Sequence, residues 1–312
     1  MSVRNEQRQK ADLEGGLGTN MLQGPDSHNR STLLRQTFLG ILGHPTQFEH
    51  FPWSIRMTNR SLITVLFSAL LALTACSGPE SDGPKAAAPV NLPPLLASES
   101  RSAEDRARDG GRKPARVIEF LGIKPGMRVM DVIAAGGYYT EVLSLAVGPG
   151  GQVVAQNPPG VLQMRDGANE KAISARLAGN RLANVSRLNA NLGEATADAG
   201  TFDAAITALN FHDIYNRNGP EGALAALQAI HAVLKPGGVF GIIDHVGVAG
   251  ADNAELHRIE KSLAIETAKA AGFVVEGDAN ILANAADDHT QGVFAEGIRG
   301  KTDRFVLKFV KP

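Results

Sequence analysis

Between residues 127 and 245 the chain alternates short β-branched apolar runs with helical stretches, and glycine clusters punctuate the changes. This alternation limits the fold more than any other feature. Strands separated by helices favour a mainly parallel sheet with both faces covered. Strands are read at 127–132, 152–156, 185–188, 202–208 and 239–244, and helices at about 138–147, 169–177 and 221–234. Ahead of them, the charged stretch 99–109 reads as a helix ended by Gly110-Gly111, and Pro114 opens another that runs to Leu121. A long helix is expected over 253–271, followed by strands at 273–276 and 304–310. No helix of useful length separates that last pair, so the two strands must be antiparallel. The expected architecture is α/β: a doubly wound, mainly parallel seven-stranded sheet with a C-terminal antiparallel hairpin.

The first hundred residues read differently. Residues 1–56 have no sustained helical or strand period. Residues 61–75 form a fifteen-residue run without a charge, which follows Arg60 and ends in Leu73-Thr74-Ala75-Cys76. The run has the length of a secretory apolar region and is short for a membrane-spanning helix. Small residues before a cysteine resemble the bacterial lipobox, in which the cysteine is lipidated and becomes the mature N-terminus. Cys76 is the one cysteine of the chain, which excludes an internal disulfide framework and thiolate-built zinc or iron–sulfur sites. A Pro/Ala/Gly tether follows over 77–97. The expected organisation is therefore a non-native or disordered leader (1–56), a lipoprotein signal peptide (57–76), the tether, and one folded domain (98–312). Translation is expected to start at Met57, and the domain is expected to face the periplasm from a lipid anchor. Lys plus Arg (31) nearly balance Asp plus Glu (32), which gives no polycationic footprint for a nucleic-acid partner.

The chemistry sits at Val129-Met-Asp131-Val-Ile-Ala-Ala-Gly136-Gly137-Tyr-Tyr-Thr140, a strand, a tight small-residue turn and a helix start. Such a turn brings backbone N–H groups close to a ligand, and the helix dipole favours negative charge there. Together with Lys235-Pro-Gly-Gly-Val-Phe-Gly-Ile-Ile-Asp-His245 and the terminal strands, it resembles a class I S-adenosylmethionine-dependent methyltransferase. The likeness extends to a group of bacterial methyltransferases that often carry signal peptides. It is carried also by the segments Asn210-Phe-His-Asp213, Leu256-His-Arg258 and Arg299-Gly-Lys-Thr-Asp-Arg-Phe305. The resemblance implies a Rossmann-like fold, S-adenosylmethionine as cofactor and methyl transfer to a small-molecule substrate. By position it assigns Asp131, Ala135, Gly136, Gly137, Tyr138, Gln156, Asn157 and Asn210 to the cofactor. Two stretches depart from the family pattern. Ile133 and Ala135 stand where glycine is common, and Gln156-Asn157 stand where an acid grips the ribose hydroxyls.

On the same resemblance the Asn210–Asp213 loop lies beside the transferable methyl. This makes His212, Asp213 and His245 the catalytic candidates, with Asp213 or Asp244 orienting one imidazole. The plainer reading is that these groups cap strands. His257 is expected early in a helix, either over the cleft or on the surface. No metal is assigned. A rival reading, metal-dependent hydrolysis, would use His212, Asp213, Asp244, His245 and Asp287-Asp288-His289, but their spacing fits no zinc signature. Another is a non-catalytic binding lipoprotein that keeps the fold. The long segment before the last strand is expected to act as a lid.

Overall fold

The computed structural model describes residues 90–194 and 199–312. The leader, the signal peptide and Cys76 lie outside the described residues. Among the described residues no helix is long and apolar enough to cross a membrane.

The chain enters through α1 (Leu92–Leu96), α2 (Ala103–Arg112) and α3 (Pro114–Leu121). It then builds β1 (Arg128–Val132), α4 (Tyr138–Val147), β2 (Gln152–Gln156), α5 (Pro159–Leu177), β3 (Val185–Leu188) and β4 (Phe202–Ala208). The second half is α6 (Phe211–Val233), β5 (Leu234–His245), α7 (Lys261–Ala270), β6 (Val274–Ala279) and β7 (Arg304–Val310). The seven strands lie in the order β3-β2-β1-β4-β5-β7-β6. β1 through β5 are parallel, and β7 runs antiparallel to both β5 and β6. The expected α/β architecture is present, with β7 inserted between β5 and β6.

Both faces of the sheet are covered, which is why its central strands are apolar without alternation. Val129, Ile206, Ile243 and Val306 face α3 and α4, while Met130, Val132, Ala205, Ile242 and Leu307 face α6 and α7. Sequence order reverses between β1 and β4. Ligands of open α/β sheets bind beyond the strand carboxyl ends at that point.

Four local expectations change. α1 forms inside the stretch read as tether, because Leu92 and Leu96 bury against α4. α2 continues through Gly110-Gly111 to Arg112; a Cβ at Gly111 would stand 3.0 Å from the Gly300 carbonyl, so close packing, not helix termination, accounts for that glycine. α6 is two helices joined at Gly219 (φ 70°) and Pro220, so His212 and Asp213 lie in the first turn of a separate short helix. Residues 253–257, expected to open the long helix, form turns, and that helix begins only at Lys261. Arg258 is drawn into the interior there, and its guanidinium bonds Val246 O and Gln291 O.

Candidate active site

The loop after β1 keeps a glycine-rich backbone path without all the glycines. Ile133 (φ 54°), Ala135 (φ 49°) and Gly137 (φ 83°) are all left-handed. For the two non-glycine residues this conformation costs on the order of 1–3 kcal/mol each, most for the β-branched isoleucine. Neighbouring strands hold the loop in place. Gln156 Oε1 accepts the Ile133 N–H (3.0 Å), and Asn157 Oδ1 accepts that of Ala135 (2.8 Å). Asn157 Nδ2 donates back to Ala135 O (3.2 Å), and Gln156 Nε2 donates to Ala190 O (2.7 Å). From the end of β4, Asn210 Nδ2 donates to Ile133 O (3.0 Å) and Ala208 O (2.9 Å).

Gln156 and Asn157 therefore stand where the family pattern has a ribose-gripping acid, but the oxygen and nitrogen of each side-chain amide are hydrogen-bonded, three of the four bonds to the loop and one to Ala190. Gly136 and Gly137 let α5 approach. A Cβ at Gly136 would lie 3.0 Å from Ala172 Cβ, and one at Gly137 3.0 Å from Ile173 and Arg176.

Asp131 is buried behind the loop and accepts the Thr140 hydroxyl at 2.6 Å. Burial pushes its carboxyl up to about 7, against the Thr140 hydrogen bonds and the charges of Arg112 and Arg176. Tyr138 and Tyr139 are both buried and meet edge to face. The Tyr138 hydroxyl donates to Asp109 at 2.6 Å, and its ring lies 4.3 Å from the Arg112 guanidinium, so this residue ties α4 to α2.

The second group forms where β4 and β5 end. Asp244 is fully buried. It accepts the His212 backbone N–H (2.8 Å) and the His245 backbone N–H (2.8 Å), and its Oδ1 lies 2.7 Å from His212 Nδ1. A carboxylate only accepts, so Nδ1 carries the proton and Nε2, on the side of Asp213, is unprotonated in the neutral ring. Burial opposes charge on His212, but the Asp244 charge and hydrogen bond outweigh it and raise the imidazole above its ordinary value. His212 Nε2 stands 3.6 Å from Asp213 Oδ2, and Asp213 Oδ1 stands 3.4 Å from His257 Nδ1.

The expected approach of His212 and His245 is present, with rings 5.8 Å apart, and Asp244 is the orienting carboxylate. His245 itself points elsewhere. Its Nδ1 pairs with Thr302 Oγ1 at 2.7 Å, and burial drives it down to about 3, so this ring is neutral. The member that sequence reasoning left undecided is His257, whose ring lies 5.6 Å from that of His212. The segment Leu256-His-Arg258 marked it, but a turn, not the expected helix, delivers it to the cleft.

Asp287-Asp288-His289 stands apart from this group. Asp287 pairs with Arg258 (2.9 and 3.0 Å) and accepts the Asp303 N–H (2.7 Å). His289 pairs with Asp303 at 3.1 Å. The segment read as a lid is thereby fastened to the body of the domain.

The sequence profile of the family described as Protein-L-isoaspartate(D-aspartate) O-methyltransferase (PCMT) matches residues 112–174, the stretch that contains β1, the left-handed loop, α4 and β2. No curated protein matches the chain. Among solved structures, a SAM dependent methyltransferase from Aquifex aeolicus is 21% identical with a TM-score of 0.47, over 64% of this chain and 89% of that one. A TehB-like SAM-dependent methyltransferase from Corynebacterium glutamicum is 18% identical (TM-score 0.42; 64% and 87% covered). Fibrillarin from Aeropyrum pernix, in complex with natively bound S-adenosyl-L-methionine, is 12% identical (TM-score 0.41; 63% and 74% covered). The profile match across β1–β2 and the strand order β3-β2-β1-β4-β5-β7-β6 make the fold Rossmann-like and similar to that of class I S-adenosylmethionine-dependent methyltransferases.

Proposed function

We propose that the protein is an S-adenosylmethionine-dependent methyltransferase acting on a small protic acceptor. The observation that carries this reading is one rim holding two devices: the left-handed loop 133–137 and the Asp244-oriented His212. The loop backbone fits the cofactor, because its conformation is kept at Ile133 and Ala135 despite the strain. The Gly136 N–H and Asn210 Oδ1 would hold the cofactor, since the N–H groups of Ile133, Ala134, Ala135 and Gly137 are bonded within the protein. When bound, it supplies a methyl group on a sulfonium, already a good leaving group.

The protein's own work is then positioning and proton removal. His212 Nε2 accepts the acceptor's proton, and Asp244 stabilises the imidazolium that results. His245, neutral and fixed by Thr302, packs behind the pair. A second reading, a ligand-binding protein that keeps the fold without catalysis, is favoured by the end of β2, where Gln156 and Asn157 present amides in place of a carboxylate and both are already hydrogen-bonded within the protein.

Calorimetry separates the two. S-adenosylmethionine and S-adenosylhomocysteine are expected to bind the full chain with a dissociation constant below about 1 mM, or about −4 kcal/mol. His212→Ala should keep that affinity while lowering methyl transfer roughly 10²–10⁴-fold, the usual contribution of a general base. No heat at millimolar cofactor leaves the binding-protein reading.

The sequence around Cys76 supports an envelope location, and we extend the proposal to a lipid anchor at that residue, with the domain facing the periplasm. Cys76→Ser is expected to abolish labelling of the cellular protein by a radioactive fatty acid and to release it from the membrane fraction. Undiminished labelling defeats this part.

A further inference from the structure

We propose that His212 Nε2, Asp213 and His257 Nδ1 form a binding site for a divalent transition-metal ion of the zinc type. One ligating atom from each residue can be chosen so that all three lie within 4.8 Å of one another. The shortest approaches run to the two oxygens of one carboxylate, 3.6 Å from His212 Nε2 to Asp213 Oδ2 and 3.4 Å from His257 Nδ1 to Asp213 Oδ1, so a small turn of Asp213 or bidentate ligation completes the set. Around a tetrahedral zinc with bonds of about 2.0–2.2 Å, ligand atoms stand roughly 3.3–3.6 Å apart.

Asp244 supplies the independent observation. It is fully buried and holds His212 Nδ1 at 2.7 Å, so the other ring nitrogen is turned toward Asp213 and His257. A carboxylate behind a ligating histidine is the usual outer partner at such centres; it fixes the tautomer and makes the ring a better ligand.

Ligand chemistry selects the ion. Two imidazoles and one carboxylate suit first-row transition metals, whereas magnesium and calcium take oxygen ligands. Three protein ligands leave at least one coordination position open, and the partly exposed side chains of Asp213 and His257 place it on the solvent side. The charged groups around the site are Asp213, Asp244 and Arg217, with neutral His245 behind. Arg217 Nε lies 3.3 Å from Asp213 Oδ1 on a side chain that is 59% exposed, a pairing of small worth that can give way to the ion. His257 reaches the group from the turn that buries Arg258, and its ring rests edge to face on Phe294.

Neither His245 nor Asp287-Asp288-His289, the other ligands weighed from sequence, joins this group. The site stands independently of the cofactor reading. If both hold, an oxygen acceptor would coordinate at the open position, where the metal makes its hydroxyl more acidic and the proton passes to solvent in place of His212.

The test uses tag-free full chain stripped by chelator and titrated with Zn²⁺ by calorimetry and with Co²⁺ by visible absorption. One equivalent of each is expected to bind, with the Co²⁺ bands of a nitrogen–oxygen site. His257→Ala and Asp213→Asn should each weaken Zn²⁺ at least about tenfold and change the Co²⁺ spectrum, with the circular-dichroism spectrum retained. Two variants are used so that one that fails to fold leaves the other to decide. Absence of stoichiometric binding overturns the proposal. So does binding whose affinity and spectrum neither substitution alters. Zn²⁺ binding without S-adenosylmethionine binding upholds this site and removes the methyltransferase reading; the reverse result upholds that reading and removes this site.

Discussion

Asp287→Asn is expected to destabilise the folded domain by about 3–5 kcal/mol, the usual cost of leaving one partner of a buried ion pair alone. The Arg258 guanidinium is fully buried, with both terminal nitrogens on the Asp287 carboxylate. The same carboxylate accepts two backbone N–H groups, from His289 (3.0 Å) and Asp303 (2.7 Å). Burial disfavours its charge, but Arg258 and these amides outweigh that and hold it below the ordinary carboxylate range. An amide keeps the shape, loses the charge and turns one nitrogen toward donors. Three connections then fail together: the 252–260 turn, the 283–303 segment and the start of β7. Urea unfolding measures the loss. Asp288→Asn, one residue along and exposed, is the control and should fall within about 0.5 kcal/mol of the parent. Equal effects from the two substitutions would show that the buried pair contributes nothing special.

Asp131→Asn should act in the opposite direction, and only at higher pH. Asp131 titrates near 7 in the folded chain because burial penalises its charged form, whereas an unfolded aspartate titrates near 4. Between those values the folded state binds the extra proton, so its stability falls as pH rises through about 7. Roughly three pKa units correspond to about 4 kcal/mol above that range. The asparagine variant escapes this penalty, and its amide oxygen still accepts the Thr140 hydroxyl. Parent and variant should be nearly equal in stability near pH 4, and the variant should gain by up to about 4 kcal/mol at pH 8. Equal denaturation midpoints at both pH values would mean that Arg112 and Arg176 hold the carboxylate ionised throughout.

Some elements were legible residue by residue. The helix 138–147 and the strands 152–156, 185–188, 202–208 and 304–310 have the bounds read from sequence, because apolar runs there end in glycine, proline or polar turns. Where a residue serves a distant contact, the local pattern misleads. Gly110-Gly111 looks like a helix stop, yet Gly111 is there to let the Gly300 carbonyl approach. Residues 252–260 have helical composition, yet the buried Arg258–Asp287 pair unwinds them. The candidate site divides in the same way. His212 follows β4 and Asp244 lies at the end of β5, and both were legible from that position. His257 was singled out with Leu256-His-Arg258, but its place depends on a turn held by a contact with a segment about thirty residues further on, which leaves its choice between cleft and surface open in the sequence. The positions of Gln156 and Asn157 were legible; their hydrogen bonds back to Ile133 and Ala135 were not.

The placement of β7 also governs the order in which the sheet can assemble. β6 touches the sheet only through β7, and β7 is the last strand of the chain. Until residues 304–310 arrive, β1 through β5 can form a parallel sheet whose β5 edge is open, with Phe240 and Ile242 along it. An unpaired apolar edge is a template for association with other chains. Closure requires β5 to find a partner about sixty residues away, a contact with a high loop-closure cost. Completion of the β5 edge therefore rests on a long-range contact, and a chain without β7 would leave that apolar edge exposed.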